Sequence, residues 1–343
     1  MKLLTDTTLK IVFIPVIFIL SLILLCSHDL YIKMGSYFLQ ENQETTLSLY
    51  NGTFTSSENL ITRDRMIDAS VVSKGTRIAI KPEQWVDQDS TITELTFTAG
   101  EAGTYLVGVS TKARNIELTA EKFNDYLKHD GVLDVLEQRT ENNLLDQDAL
   151  ESYQKHVKAI YQVGDIKTDD WKTNLGYPIE FIPQSNPYEK YTGDSLDVAL
   201  LLDGEPLSNQ LVYADYIIND QAHTHGKHGH SHDSKKEHEH NSDNGHAEGH
   251  SHTSGQQLRT DDLGIVTVDL PADGIYYMRT IHMESLSESD SLTHQSKWAT
   301  LTFEVTHKHD LHDQETILSS WIFLLAVAII VGLLILKFRK RKK

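Results

Sequence analysis

The chain has 343 residues, 39% of them hydrophobic, with a single cysteine and a formal net charge of −18. Acidity on this scale argues against nucleic acid or an anionic membrane surface as a partner, and one cysteine leaves no internal disulfide to staple a fold. Stability must come from packed cores, for which this length is enough to build two domains.

At the start of the chain, Lys2 and Lys10 precede an apolar run from Ile11 to Leu25 that reads as the hydrophobic region of a secretory signal. Cleavage after Ser27 would leave His28 as the new N-terminus. Leu25 is larger than the small residue such a site prefers, so an uncleaved signal anchor stays open. Lipidation at Cys26 is the weaker option, because Leu25 stands where a small residue is expected. Residues 1–27 are therefore assigned to a signal peptide or signal anchor, and residues 28 to about 316 are expected to face outward. Setting aside the net +1 of residues 1–27 and the six positive charges at the C-terminus leaves −25 outside, which favours attraction of cations.

From His28 to Leu118 the text alternates polar and apolar residues in short runs such as TLSLY, TRIAI, TELTF and TYLVGVS, separated by Gly52, Gly75, Gly100 and Gly103. That pattern predicts an antiparallel β-sandwich over 28–118. The period then changes. Thr119 is placed as N-cap of a helix running to Gly131, and Tyr153, His156, Val157, Ile160 and Tyr161 follow the spacing of one helical face, predicting a helical segment over 119–165. His156 on that face reads as a packed core histidine rather than a ligand. A second strand series (IEFIP, SLDVALLL, QLVYADYII, IVTVDL, GIYYMRTIHM, WATLTFEV) predicts a second antiparallel sandwich over 175–306. The fold class expected is thus mainly β, two sandwiches with helices between them. Beyond it, Ile317–Leu336 is twenty uncharged residues, long enough at about 1.5 Å per residue to span a bilayer core as a helix. The basic tail at 337–343 places the C-terminus in the cytoplasm by the positive-inside rule. One membrane span with an extracytoplasmic bulk is the topology expected.

The second sandwich is interrupted by residues 223–252, which hold ten of the eighteen histidines in thirty residues: His223, His225, His228, His230, His232, His238, His240, His246, His250 and His252. No apolar residue larger than Ala247 accompanies them, so nothing there builds a core. Neutral imidazole is the commonest protein ligand for borderline metals, and repeated H-x-H and H-x-x-H spacings let several rings converge on one ion. Capture of a divalent transition metal (Ni, Co, Zn or Cu) is the chemistry predicted. The alternatives are a tolerated low-complexity insertion and a pH-sensing cluster.

Several stretches together resemble a bacterial family of exported proteins of unknown function, described as a periplasmic component of cobalt or nickel transport. They are HDLYIK, NIELTAEKFNDYLKHDGVLDVLEQR, YPIEFIPQSNPY, GDSLDVALLLDGEPLSNQLV, RTDDLGIVTVDLP, YYMRTIHMES and WATLTFEV, in order from His28 to about Val305. The resemblance implies a two-domain β-rich protein with a helical middle and an immunoglobulin- or transthyretin-like second half. It also implies a His-Asp pair at the start of the mature chain, matched by His28 and Asp29, and a histidine in the last strands, matched by His282. The histidine tract and the C-terminal anchor are departures from it and tell against a soluble shuttle.

Two histidines outside the tract are therefore added as candidate metal ligands. A His28 freed by cleavage would offer its α-amine and imidazole together, as in a copper brace. His282 lies in a strand where a structural role competes with ligation. His307, His309 and His312 could relay an ion near the membrane, or form only a polar linker. Enzyme chemistry is not expected: the exported part has no cysteine, and G-x-S-x-G, H-E-x-x-H and a phosphate-cradling glycine loop are all missing. The leading expectation is a membrane-anchored accessory protein that captures metal for an importer. A structural or adhesion module without a metal role is the alternative, and a copper oxidase built on His28 is a third reading.

Overall fold

Alternating burial organises the computed structural model, which describes residues 28–218, 255–286 and 291–308. The described residues through Thr306 belong to one compact unit; a second, 307–343, is described only at His307 and Lys308. The expected leader (1–27), the histidine tract (223–252) and the expected span (317–336) with its basic tail (337–343) lie outside the described residues. Among the described residues no helix is long and apolar enough to cross a membrane.

Three sheets make up the first unit. One has the order β1 (Asp29–Met34), β3 (Glu44–Gly52), β7 (Ile92–Thr98), β6 (Val86–Gln88). The central sheet runs β15 (Gln256–Arg259), β14 (Leu211–Ile217), β17 (Gly274–Ser285), β18 (His294–Val305), β10 (Ala149–Val163), β8 (Gly103–Thr111), β4 (Met66–Ser73), β5 (Thr76–Ala79). Two short strands, β2 (Phe38–Leu39) and β9 (Arg114–Leu118), also pair with β10. The third sheet joins β11 (Ile179–Pro183), β12 (Ser195–Leu202), β13 (Glu205–Pro206) and β16 (Ile265–Asp269).

The central sheet crosses the expected boundary between two sandwiches. Its N-terminal strands β4, β5 and β8 and its C-terminal strands β14, β15, β17 and β18 meet through β10, whose register with β18 runs parallel from Glu151↔His294 to Ala159↔Thr302. The expectation of two separate, purely antiparallel sandwiches is corrected accordingly. One hydrophobic core, which holds Leu30 and Leu49 of the first sheet together with Val198 and Val268 of the third, draws on both halves of the chain.

Successive side chains of a strand point to opposite faces. On one face of the central sheet, Thr300 and Thr302 donate to the carbonyls of Leu30 and Ile32, which seats β1 there. On the other, Lys158 reaches Glu180 and the carbonyl of Phe181 in β11.

The helical segment is shorter than the expected 119–165. α1 (Ala120–His129) and α2 (Leu133–Glu141) form the predicted start of the helical segment, but residues 149–163 are strand β10. Thr119 is the N-cap residue by position without a side-chain capping bond; the Asp148 carboxylate instead accepts from Ala120 N at 2.8 Å. Gly131, at φ +73°, closes α1 with Val132 N donating to Leu127 O at 2.8 Å, a left-handed stop that glycine makes without steric cost. The pair packs Phe123, Leu127 and Val135 onto Tyr153, Ile281, Met283 and Trp298, a second core on the same face as β1.

Candidate functional site

The histidine tract falls in the connection between β14 and β15, which pair antiparallel from Leu211↔Arg259 to Ala214↔Gln256. Of the twelve residues expected to ligate metal, the ten in the tract lie outside the described residues, and His28 and His282 lie within them. No group of three or more His, Cys, Asp or Glu side chains arranged to hold a metal occurs among the described residues. His28 and His282 each sit in a separate polar setting.

His282 stands near the end of β17, opposite Lys297 of β18, with its side chain 19% exposed. It lines a cleft of about 220 Å³ between the N-terminal turn of α2, residues 207–211 and the end of β17. Its Nδ1 is 2.9 Å from Gln210 Oε1. The Gln210 amide nitrogen faces the carbonyls of Leu211 (3.3 Å) and Ile281 (3.1 Å) and the Thr280 hydroxyl (3.0 Å). Carbonyl oxygens only accept, so the NH2 group must face them and Oε1 must face the histidine. Nδ1 is therefore a donor; when the ring carries one proton the lone pair is on Nε2, and when it carries two, Nε2–H donates to Glu284. That atom lies 3.4 Å from the Glu284 carboxylate, whose side chain is 60% exposed.

His28 is 11% exposed and holds its Nε2 2.9 Å from Glu58 Oε2. Its backbone carbonyl accepts from the buried Lys155 amine, which also donates to Asn51 Oδ1 at 2.8 Å. Next to it, Asp29 pairs with Arg279 at 3.1 Å, both side chains nearly inaccessible, and accepts from Tyr31 at 3.1 Å. Arg279 also donates to the carbonyl of Asp130 at 2.6 Å. Glu151, fully buried on β10, takes hydrogen bonds on Oε1 from Tyr126 of α1 and Ser296 of β18, while its Oε2 has no partner. These residues form a charged seam where the helical pair meets β1. Burial pushes the Glu151 carboxyl up to about 7 and the Lys155 amine down to about 7.

His156 and His294 are structural. His156 is buried beneath the third sheet, 2.9 Å from Ser110 Oγ, and His294 packs on Phe123 with ring centroids 4.6 Å apart. Burial holds both near 4, so both are neutral at physiological pH. The expectation that His156 is a packed core residue fits its place, although it reaches the core from a strand. Sequence reasoning missed Gln210, Glu284 and the seam. Glu284 was readable as the H-x-E spacing of a strand that projects both side chains to one face; Gln210, seventy-two residues from His282, left no local signal.

The family described as "Domain of unknown function (DUF4198)" matches residues 25–284. No curated protein matches the chain. Among solved structures, the D0-D1 domain of intimin is 9% identical, with 80% of this chain and 97% of that one covered at a TM-score of 0.17. A DUF4785 family protein from Legionella pneumophila is 9% identical over 54% of this chain and 37% of its own, at 0.19. Murine CEACAM1b is 7% identical over 81% and 98%, at 0.18. Scores this low carry no argument about architecture or function.

Proposed function

The chain belongs to the DUF4198 family of unknown function, and we propose that it is a membrane-anchored, outward-facing accessory protein that captures a divalent transition metal and raises its concentration beside an importer. One observation carries the reading: ten imidazoles are concentrated in thirty residues, in the single connection between two paired strands at the edge of the central sheet. Insertion at such a connection displays ligands without disturbing the packed layers. Ni, Co, Zn and Cu all suit imidazole, and weak, reversible capture on a tether gains from a high effective concentration near the partner. The signal at 1–27 and the apolar segment 317–336 supply the address and the anchor, and the acidic exported part favours cations. Relation to nickel or cobalt transport, suggested by the resemblance, belongs to the same proposal.

The test is metal accumulation by cells under scarcity, with the chain intact or lacking residues 223–252. Reduced accumulation with the deletion is expected. Unchanged accumulation would defeat the reading and favour a structural or adhesion module.

A further inference from the structure

We propose that His282 Nε2 and the Glu284 carboxylate form an ordered two-donor site for a borderline divalent cation at the cleft edge, with Gln210 as its positioning residue. The proposal rests on the metal-handling reading above but uses none of the tract's ligands.

The argument begins with the ring's orientation. A ligating histidine needs one nitrogen free of protons, and proteins secure this by fixing the other nitrogen as a donor to a second acceptor. Gln210 does this for His282, and Gln210 is itself fixed by two main-chain carbonyls and by bonds from its own backbone: Gln210 N donates to Thr260 Oγ1 at 2.8 Å and Thr260 N to Gln210 O at 3.0 Å. A core histidine needs no such preparation: His156 has a single serine contact and leaves Nε2 without a partner. The second donor is also in place. Glu284 lies two residues on along β17 and brings its Oε1 to 3.4 Å from Nε2, in a position open to hydrated ions. An imidazole nitrogen with a carboxylate oxygen suits Ni, Cu or Zn, with water completing the coordination. The cleft beside His282 admits those waters.

The experiment uses the full-length chain with the ten tract histidines changed to asparagine, so that tract binding does not mask the site. The probe is Cu(II), titrated near neutral pH and read by calorimetry and by the nitrogen hyperfine structure of its electron paramagnetic resonance spectrum. Loss of one imidazole-bound copper in His282→Asn is expected, with clear weakening in Glu284→Gln, which removes the second direct donor, and weakening of roughly tenfold or more in Gln210→Leu, in line with the roughly 10- to 100-fold typical of outer-shell changes. Nitrogen-15 spectra of the imidazole report the tautomer directly: the Nδ1–H form is expected in the parent and a mixture of tautomers in Gln210→Leu, an effect that a merely structural glutamine would not produce. Glu284 is exposed, so its variant keeps the test valid should His282→Asn fold poorly. Copper binding unchanged in both His282→Asn and Glu284→Gln, or an Nε2–H tautomer in the parent, overturns the proposal. Unchanged metal accumulation by cells whose chain lacks residues 223–252, with this copper site present, would sink the proposed capture role and leave the present inference standing.

Discussion

Glu151→Gln isolates the energetic cost of the buried seam. The carboxyl is fully buried, and burial raises it from 4.5 to about 7 against the opposing hydrogen bonds from Ser296 and Tyr126; Asp130 adds to the rise and Lys155 opposes it. Between those two pH values the native state holds a proton that the unfolded chain has released. Stability attributable to this group is therefore greatest below about 4.5, falls as pH climbs to about 7, and is level above that. At roughly 1.4 kcal/mol per pH unit, the displacement is worth about 3 kcal/mol. Glutamine cannot ionise, so the free-energy difference between variant and parent should swing in the variant's favour by about 3 kcal/mol between pH 4.5 and pH 8. The swing is read on top of a constant offset, because the new NH2 stands where Oε2 has no partner. Urea titrations across this range measure it. A pH-independent difference between the two proteins would refute the assignment of a neutral Glu151.

Three further outcomes follow from the same geometry. His156 and His294 are held near 4, below their unfolded value, so each costs stability as pH falls from about 6.5 to about 4, and His156→Gln should flatten its share of that limb in calorimetric melts from pH 4 to 7; an unchanged slope would mean that the ring is solvated. Removing one partner of the buried Asp29–Arg279 pair, as in Asp29→Ala, should cost about 3–5 kcal/mol in urea unfolding, because the Arg279 guanidinium stays buried without the Asp29 carboxylate. A loss under 1 kcal/mol, by the same principle, would show that water reaches the seam. Gly131→Ala should destabilise by more than about 1 kcal/mol, since the added Cβ would lie 2.4 Å from the Tyr213 hydroxyl and φ is +73°. A neutral result would show that the α1–α2 turn is free to shift.

The strands were legible wherever one face is buried and the other wet. In β12, Leu196, Val198 and Leu200 alternate with exposed or half-buried residues, and the period of two is plain in the text. β10 defeated the same reasoning because nearly all its side chains are buried, packed against the helical pair and β1 on one side and the third sheet on the other. A strand covered on both faces carries no alternation, so Tyr153, His156, Val157, Ile160 and Tyr161 matched a helical spacing by chance. That one misreading hid the continuity of the central sheet, because β10 is where its halves meet. The site divides in the same way: His282 and Glu284 share one strand and could be read together, while Gln210 reaches them only through the β14–β17 pairing.

The hairpin that bears the tract is fastened at the end away from it. At that end, Arg259 makes a two-pronged bond to Asp134 of α2 and donates to the carbonyl of Asn209, and Thr260 exchanges bonds with Gln210 and donates to Leu207 O. Along the strand, Gln256 trades two bonds with Asp269 of β16. Register in this pair is set by those contacts and by the ladder from Leu211↔Arg259 to Ala214↔Gln256 rather than by a tight turn. Gln210 belongs to the fastened end, where its bonds to Thr260 hold the amide that orients His282.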